Sequence, residues 1–240
     1  IPFVGNKLKK YKFTISWGVQ TTTDDSDGEI INISQFIPTY EDIISSMNKY
    51  TGTIKQTPPN ISAVKVKGKR AYNLSRKGIK FKLSSKDVFI KDFKLLKHIG
   101  KYTIFEINSG KGFYVRSLAR DLSRDLGTYG HISHLERVKV GKFSKETSIL
   151  LDDLIKIRQT QSEINCILPS ISMLDDILAC EIDELKDLKQ ISMGRSIIID
   201  ENKLVKFSSK MLDNNTFFLS NKGDIVSFGK LVGNLFKPNK

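Results

Sequence analysis

The chain has 240 residues, 39% of them hydrophobic, enough for one large core or for a medium core with a small second domain. Its 39 Lys+Arg against 26 Asp+Glu leave a formal charge of +13, which favours a polyanionic partner such as RNA, DNA or an acidic membrane surface. Two cysteines, Cys166 and Cys180, and three scattered histidines give no disulfide framework and no zinc spacing, which fits a cytoplasmic protein, and no apolar run approaches a bilayer span.

The opening Ile1-Pro-Phe-Val is apolar from its first residue and is expected to lie within a folded unit. Lys10 to Gly18 alternates Tyr11, Phe13, Ile15 and Trp17 with Lys10, Lys12, Thr14 and Ser16, the pattern of a half-buried strand. On this pattern Tyr11 reads as an edge tyrosine at the rim of the core, its hydroxyl in water. Gln20 to Gly28, with Asp24, Asp25 and Asp27, reads as a solvated acidic loop, its spacing unlike a calcium loop. Thr39 is expected to cap a helix with Ile43, Ile44, Met47 and Tyr50 on its core stripe, ending at Gly52.

Gln56-Thr-Pro-Pro has an extended entry fixed by two prolines, and Lys65, Lys67, Lys69 and Arg70 then crowd a short strand and turn before a helical turn ending at Gly78. So many cations repel one another unless water or an anion such as a nucleic-acid backbone screens them. Two strands follow, Val88 to Leu96 and Tyr102 to Ile107. The second leads into Ser109-Gly-Lys-Gly-Phe-Tyr-Val-Arg-Ser-Leu-Ala-Arg-Asp-Leu-Ser-Arg-Asp-Leu-Gly127, a glycine-bounded turn and an amphipathic helix with Val115, Leu118, Ala119, Leu122 and Leu126 inward. Arg116 lies off that stripe in the first turn, where helix polarity disfavours a cation unless an anion sits opposite. A solvated arginine and a functional one both fit this spacing. Tyr129 to Phe143 reads as turn then strand, with Leu135 by default in the core.

Arg158 to Glu163 reads as a linker. Beyond it Ile182, Leu185, Leu188 and Ile191 form a short helix closed by Gly194. Ile197 to Ile199, Phe217 to Leu219 and Ile225 to Phe228 then form strands, with Asn221-Lys-Gly223 as a turn. Two domains are expected, residues 1–165 and 166–240.

Lys9 to Gly18, Thr23-Asp-Asp25, Gln56 to Gly78, Lys111-Gly-Phe-Tyr-Val-Arg-Ser117 and His131 to Phe143 resemble, in order and spacing, the bacterial TruB-type tRNA pseudouridine-55 synthases. The resemblance implies an α+β fold, a mixed and largely antiparallel sheet with flanking helices, followed by a small PUA-like β domain. It further implies a monomeric enzyme without cofactor or metal. That enzyme flips uridine 55 out of the tRNA T-loop, breaks the C1′–N1 bond and remakes it through C5.

Carried over by position, Tyr11 matches the tyrosine that stacks on the flipped base, and Arg116 the arginine that pairs with the catalytic aspartate. Tyr114 and Leu135 match residues lining the base pocket. Lys65, Lys67, Lys69 and Arg70 fall in the stretch that grips the T-arm. Glu136 departs from the basic residue usual there. The family's aspartate belongs to a Gly-x-Leu-Asp-x-x-x-x-Gly motif, whereas Leu151-Asp152, Leu174-Asp175 and Leu212-Asp213 lack the glycine frame. The catalytic acid is therefore expected to be absent from these residues, leaving a T-arm-binding module as the alternative to an active synthase.

Overall fold

The computed structural model describes residues 7–160, 168–174, 178–200, 202, 204–205 and 216–239. Contacts divide the chain into two compact units, 1–148 and 149–240. The expected opening segment, Cys166, Asp175 and Asp213 lie outside the described residues.

The first unit contains strands β1 (Lys9–Trp17), β2 (Val19–Thr21), β3 (Ile30–Ile33), β4 (Gly52–Gln56), β5 (Lys65–Val66), β6 (Lys69–Arg70), β7 (Lys86–Ile99), β8 (Tyr102–Ser109), β9 (Gly130–Val140) and β10 (Phe143–Ser144). Its helices are α1 (Tyr40–Met47), α2 (Ala71–Arg76) and α3 (Val115–Asp125). Six strands form an antiparallel sheet in the order β10-β9-β1-β8-β7-β4. β1 runs inside it, so Tyr11 is a half-buried residue of a central strand, not the edge tyrosine its alternation suggested.

The alternation holds. Phe13, Ile15 and Trp17 are fully or almost fully buried and pack with Phe105, Ile107, Ile90 and Ile132 against Val115, Leu118, Ala119 and Leu122 of α3. Each large side chain fully removed from water here contributes roughly 1.5–3 kcal/mol of transfer free energy. Gly130 makes the close approach possible, since a Cβ there would stand 2.4 Å from Ser123 Oγ and 3.2 Å from the Trp17 ring. α3 ends at Gly127 (φ +71), with Thr128 N–H donating to the Ser123 carbonyl across the left-handed residue. Thr39 caps α1 as expected, its hydroxyl accepting from Asp42 N–H while the Asp42 carboxylate accepts from Thr39 N–H. Ile43, Met47 and Tyr50 of the expected stripe are buried, whereas Ile44 is exposed; the helix stops at Met47 and a single 3-10 turn carries Tyr50.

The second unit contains α4 (Leu151–Thr160), β11 (Leu178–Glu181), α5 (Leu185–Ser192), β12 (Ile197–Ile198), β13 (Leu204–Val205), β14 (Thr216–Asn221), β15 (Asp224–Val232) and β16 (Leu235–Pro238). α4 runs through the start of the expected linker. The sheet order is β12-β16-β15-β14-β11-β13, antiparallel except for the β11–β14 pair. Cys180, Ile182, Ile191, Ile197, Phe217, Leu219 and Phe236 form its core. Leu185, expected on the inner stripe of α5, is 84% exposed because it is that helix's first residue. The turn at Lys222 (φ +50) and Gly223 (φ +82) has the two successive left-handed residues of a tight hairpin. Among the described residues no helix is long and apolar enough to cross a membrane.

Candidate active site

The site grows from the N-terminus of α3. β8 ends at Ser109, the chain turns through Gly112 (φ +82), and Tyr114 becomes the N-cap residue. Tyr114 provides no capping side-chain bond. The side chain of Gln56, 2% exposed at the end of β4, takes its backbone in hand: Tyr114 N–H donates to Gln56 Oε1 at 2.8 Å and Gln56 Nε2 donates to the Tyr114 carbonyl at 3.1 Å. Ser117, fully buried, donates from its hydroxyl to the Thr57 carbonyl at 2.8 Å. The proline segment after β4 is thereby fastened to the helix that carries Arg116.

Arg116 is not a solvated arginine. Its Nη1 donates to Asp25 Oδ2 at 3.0 Å and to the Thr23 carbonyl at 3.2 Å, and its Nη2 donates to the Ile61 carbonyl at 2.9 Å. One planar group thus holds two loops that are distant in sequence. The anion facing it comes from the loop read as solvated. Asp24 is buried, Asp25 is half-buried, and the loop is docked on the start of β9 by Ile132 N–H donating to the Asp24 carbonyl at 3.0 Å. The spacing of Arg116 left room for an anion opposite it and did not point to this one.

Tyr11 borders the same core cluster as Val115. Its cross-strand partners are Ile107 on β8 and Arg137 on β9, and Phe13 pairs with Leu135. Partners in register project from one face of a sheet. Tyr11, Phe13, Leu135 and Arg137 therefore share the face on which α3 packs. Leu135 is 45% exposed there, so it is not the core residue its default reading made it. β9 departs from regular pairing next to Tyr11 and again before Ile15, which re-aims its side chains along this face.

The electrostatics of this end of the sheet are cationic. Lys9 has its pKa lowered by burial first and then by the neighbouring Arg137 and Lys111. Glu136, the departure from the expected basic residue, pairs in register with Lys12 on the opposite face and accepts from Lys145. Its negative charge is therefore neutralised away from Tyr11.

The basic stretch forms a separate hairpin. β5 and β6 pair Lys65 with Arg70 and Val66 with Lys69 around Lys67 (φ +47) and Gly68 (φ +82). All four cations, Lys65, Lys67, Lys69 and Arg70, are exposed, and the Arg70 guanidinium donates to the Ala63 carbonyl. α2 follows at once, anchored by buried Ala71 and Leu74.

Residues 1–115 match the TruB family pseudouridylate synthase N-terminal domain, and residues 116–180 match the tRNA pseudouridylate synthase B C-terminal domain. A tRNA pseudouridine synthase B from Bartonella henselae is 36% identical over 249 residues, covering all of this chain and 78% of the relative. A protein of the same name from Sinorhizobium medicae is 34% identical over 250 residues, covering all of this chain and 77% of the relative. Among solved structures, a Cbf5-Nop10-Gar1 complex aligns with a TM-score of 0.70 at 19% identity, over 100% of this chain and 68% of the matched one. That last likeness is one of fold alone, whereas the sequence matches run through the site just described: the chain belongs to the TruB family of pseudouridylate synthases.

Proposed function

We propose that the protein is a tRNA pseudouridine-55 synthase, acting as a monomer on the T-arm. The observation that carries this reading is the seating of Arg116 between the Asp25 loop and the Ile61 carbonyl. Tyr11 and Leu135 lie on the sheet face that α3 covers. Lifting the target uridine from its stack costs a few kcal/mol. The ring of Tyr11 offers the extruded base a stacking surface, Tyr114 and Leu135 wall the pocket, and the exposed cations of the β5–β6 hairpin hold the T-arm backbone. In the isomerisation the C1′–N1 bond breaks, the base turns, a C5–C1′ bond forms, and the proton lost from C5 is balanced by one gained at N1. No electrons are exchanged with a cofactor.

The glycine-framed aspartate that the family uses has no counterpart in these 240 residues. Taken alone they are proposed to bind T-arm RNA without converting it. Incubating the chain with T-arm RNA carrying tritium at uridine C5 tests both statements. Binding without tritium release is the expected result, and release by a chain that also carries the family's glycine-framed aspartate is expected to require uridine 55. Release by the 240 residues alone overturns the absent-acid reading and makes Asp25 the acid to examine. Failure to bind a T-arm in preference to an unstructured RNA of equal length overturns the T-arm reading.

A further inference from the structure

Arg120 lies one helical turn beyond Arg116 on α3, and its side chain is only 12% exposed. Its Nη2 donates to the Thr57 carbonyl at 2.9 Å, its Nε donates to Asp121 Oδ1 at 2.9 Å, and its Nη1 stands 3.4 Å from Asp24 Oδ2. The Asp24 side chain is 10% exposed and its backbone is left-handed at φ +59, a conformation uncommon for a residue with a side chain. Two successive arginines thus reach the same two segments, the acidic loop and the stretch from Thr57 to Ile61. An ion pair this buried is a weak source of stability, since desolvation consumes most of its attraction; what such a pair offers is a defined geometry.

We propose that Asp24 and Arg120 are positioning residues: their ion pair holds the acidic loop in the one backbone conformation that presents Asp25 to Arg116. The inference rests on the reading that Arg116 serves the reaction. Asp24 lies one residue before Asp25, and its carbonyl is tied to Ile132 N–H. With that carbonyl and the carboxylate both held, the next side chain has little freedom. Thr23 Oγ1 and Asp27 N–H also donate to the Asp25 carboxylate from within the loop, so loss of the Arg120 contact loosens the aim of Asp25 at Arg116 instead of freeing the side chain.

Nitrogen-15 NMR of the Arg116 guanidinium in the 240-residue chain tests this, because a guanidinium locked on three acceptors rotates slowly about its Cζ–N bonds. Asp24→Asn and Arg120→Met are expected to speed that rotation about tenfold or more, as coupling through a shared network predicts. Arg120→Lys, which keeps the charge, should restore part of it. In a chain that also carries the family's glycine-framed aspartate, Asp24→Asn should lower kcat with KM within about threefold. Tyr50→Phe, which removes a hydrogen bond to Asp125 at the far end of α3, is the control for general loosening. An unchanged Arg116 signal in folded Asp24→Asn, or an equal response in Tyr50→Phe, overturns the proposal. If Arg120→Met does not fold, Asp24→Asn and Arg120→Lys decide it. The NMR signal needs no turnover, so its response and the tritium result fail independently.

Discussion

Arg116 Nη1 stands 3.0 Å from Asp25 Oδ2, joining a helix N-terminus to a loop 91 residues earlier in the chain. A cation in the first turn of a helix is disfavoured by about 0.3–1 kcal/mol. The carboxylate at hydrogen-bond distance offsets that cost, and the two carbonyls fix the plane of the guanidinium. The pair is half-buried, which makes it sensitive to any change of charge or length.

In a chain that also carries the family's glycine-framed aspartate, Asp25→Asn should therefore reduce kcat by about a hundredfold, the scale of losing one preorganised electrostatic contact, while T-arm affinity changes less than about threefold. Arg116→Lys should do as much damage, because an ammonium cannot reach Asp25, Thr23 and Ile61 from one planar fork. Single-turnover kinetics separate this outcome from one in which only KM rises.

Gln56→Ala should destabilise the first unit by roughly 1–3 kcal/mol, since it leaves the Tyr114 N–H without its acceptor, while the Tyr114 carbonyl keeps the Leu118 N–H. Gln56→Glu, which keeps the acceptor and loses the donor, should fall between. Urea unfolding followed through Trp17 reads both.

Replacing Lys65, Lys67 and Lys69 together, with Asn at the left-handed position 67, should lower the magnitude of the slope of log K against log salt for T-arm binding by about 2–3. Affinity should fall without a change in melting temperature. Arg70 is left in place because its guanidinium closes the hairpin onto Ala63. Titrations at several salt concentrations supply the slope.

Burial raises the pKa of Asp24 above its ordinary value of 3.8, against the opposing pull of Arg120, Arg124 and Arg116. Between 3.8 and the raised value the folded chain holds more protons than the unfolded one, so the contribution of Asp24 to stability declines as pH rises through that window. Asn cannot titrate. The melting temperature of Asp24→Asn minus that of the parent should therefore grow as pH rises from the ordinary value of 3.8 through the raised one, and a constant or shrinking difference would count against it.

Much of this site was legible from local pattern. The alternation of β1, the stripe and terminal glycine of α3 and the cap at Thr39 are written in spacings of two, three and four residues, and each formed where expected. What escaped was non-local. Nothing near Asp25 marks it as the partner of Arg116, because three clustered carboxylates look alike until the loop docks on β9. Gln56 was legible only as the entry to the proline segment: a glutamine acting as a stretch of backbone for Tyr114 has no periodicity. The roles given to Leu135 and Tyr11 rest on resemblance, since a half-exposed residue on a sheet face and a buried one share the same alternation.

The position of β1 also governs when the site can exist during synthesis. Lys9 pairs with Ser109 on one side and with Val140 on the other, so the first described strand waits for partners made some hundred residues later. Until residue 109 has left the ribosome both flanks of β1 are open edges, and until residue 140 has left it the β9 flank stays open to pairing with other nascent chains. Conditions that slow translation across residues 109–140 should therefore lower soluble yield more than a pause of equal length after residue 148.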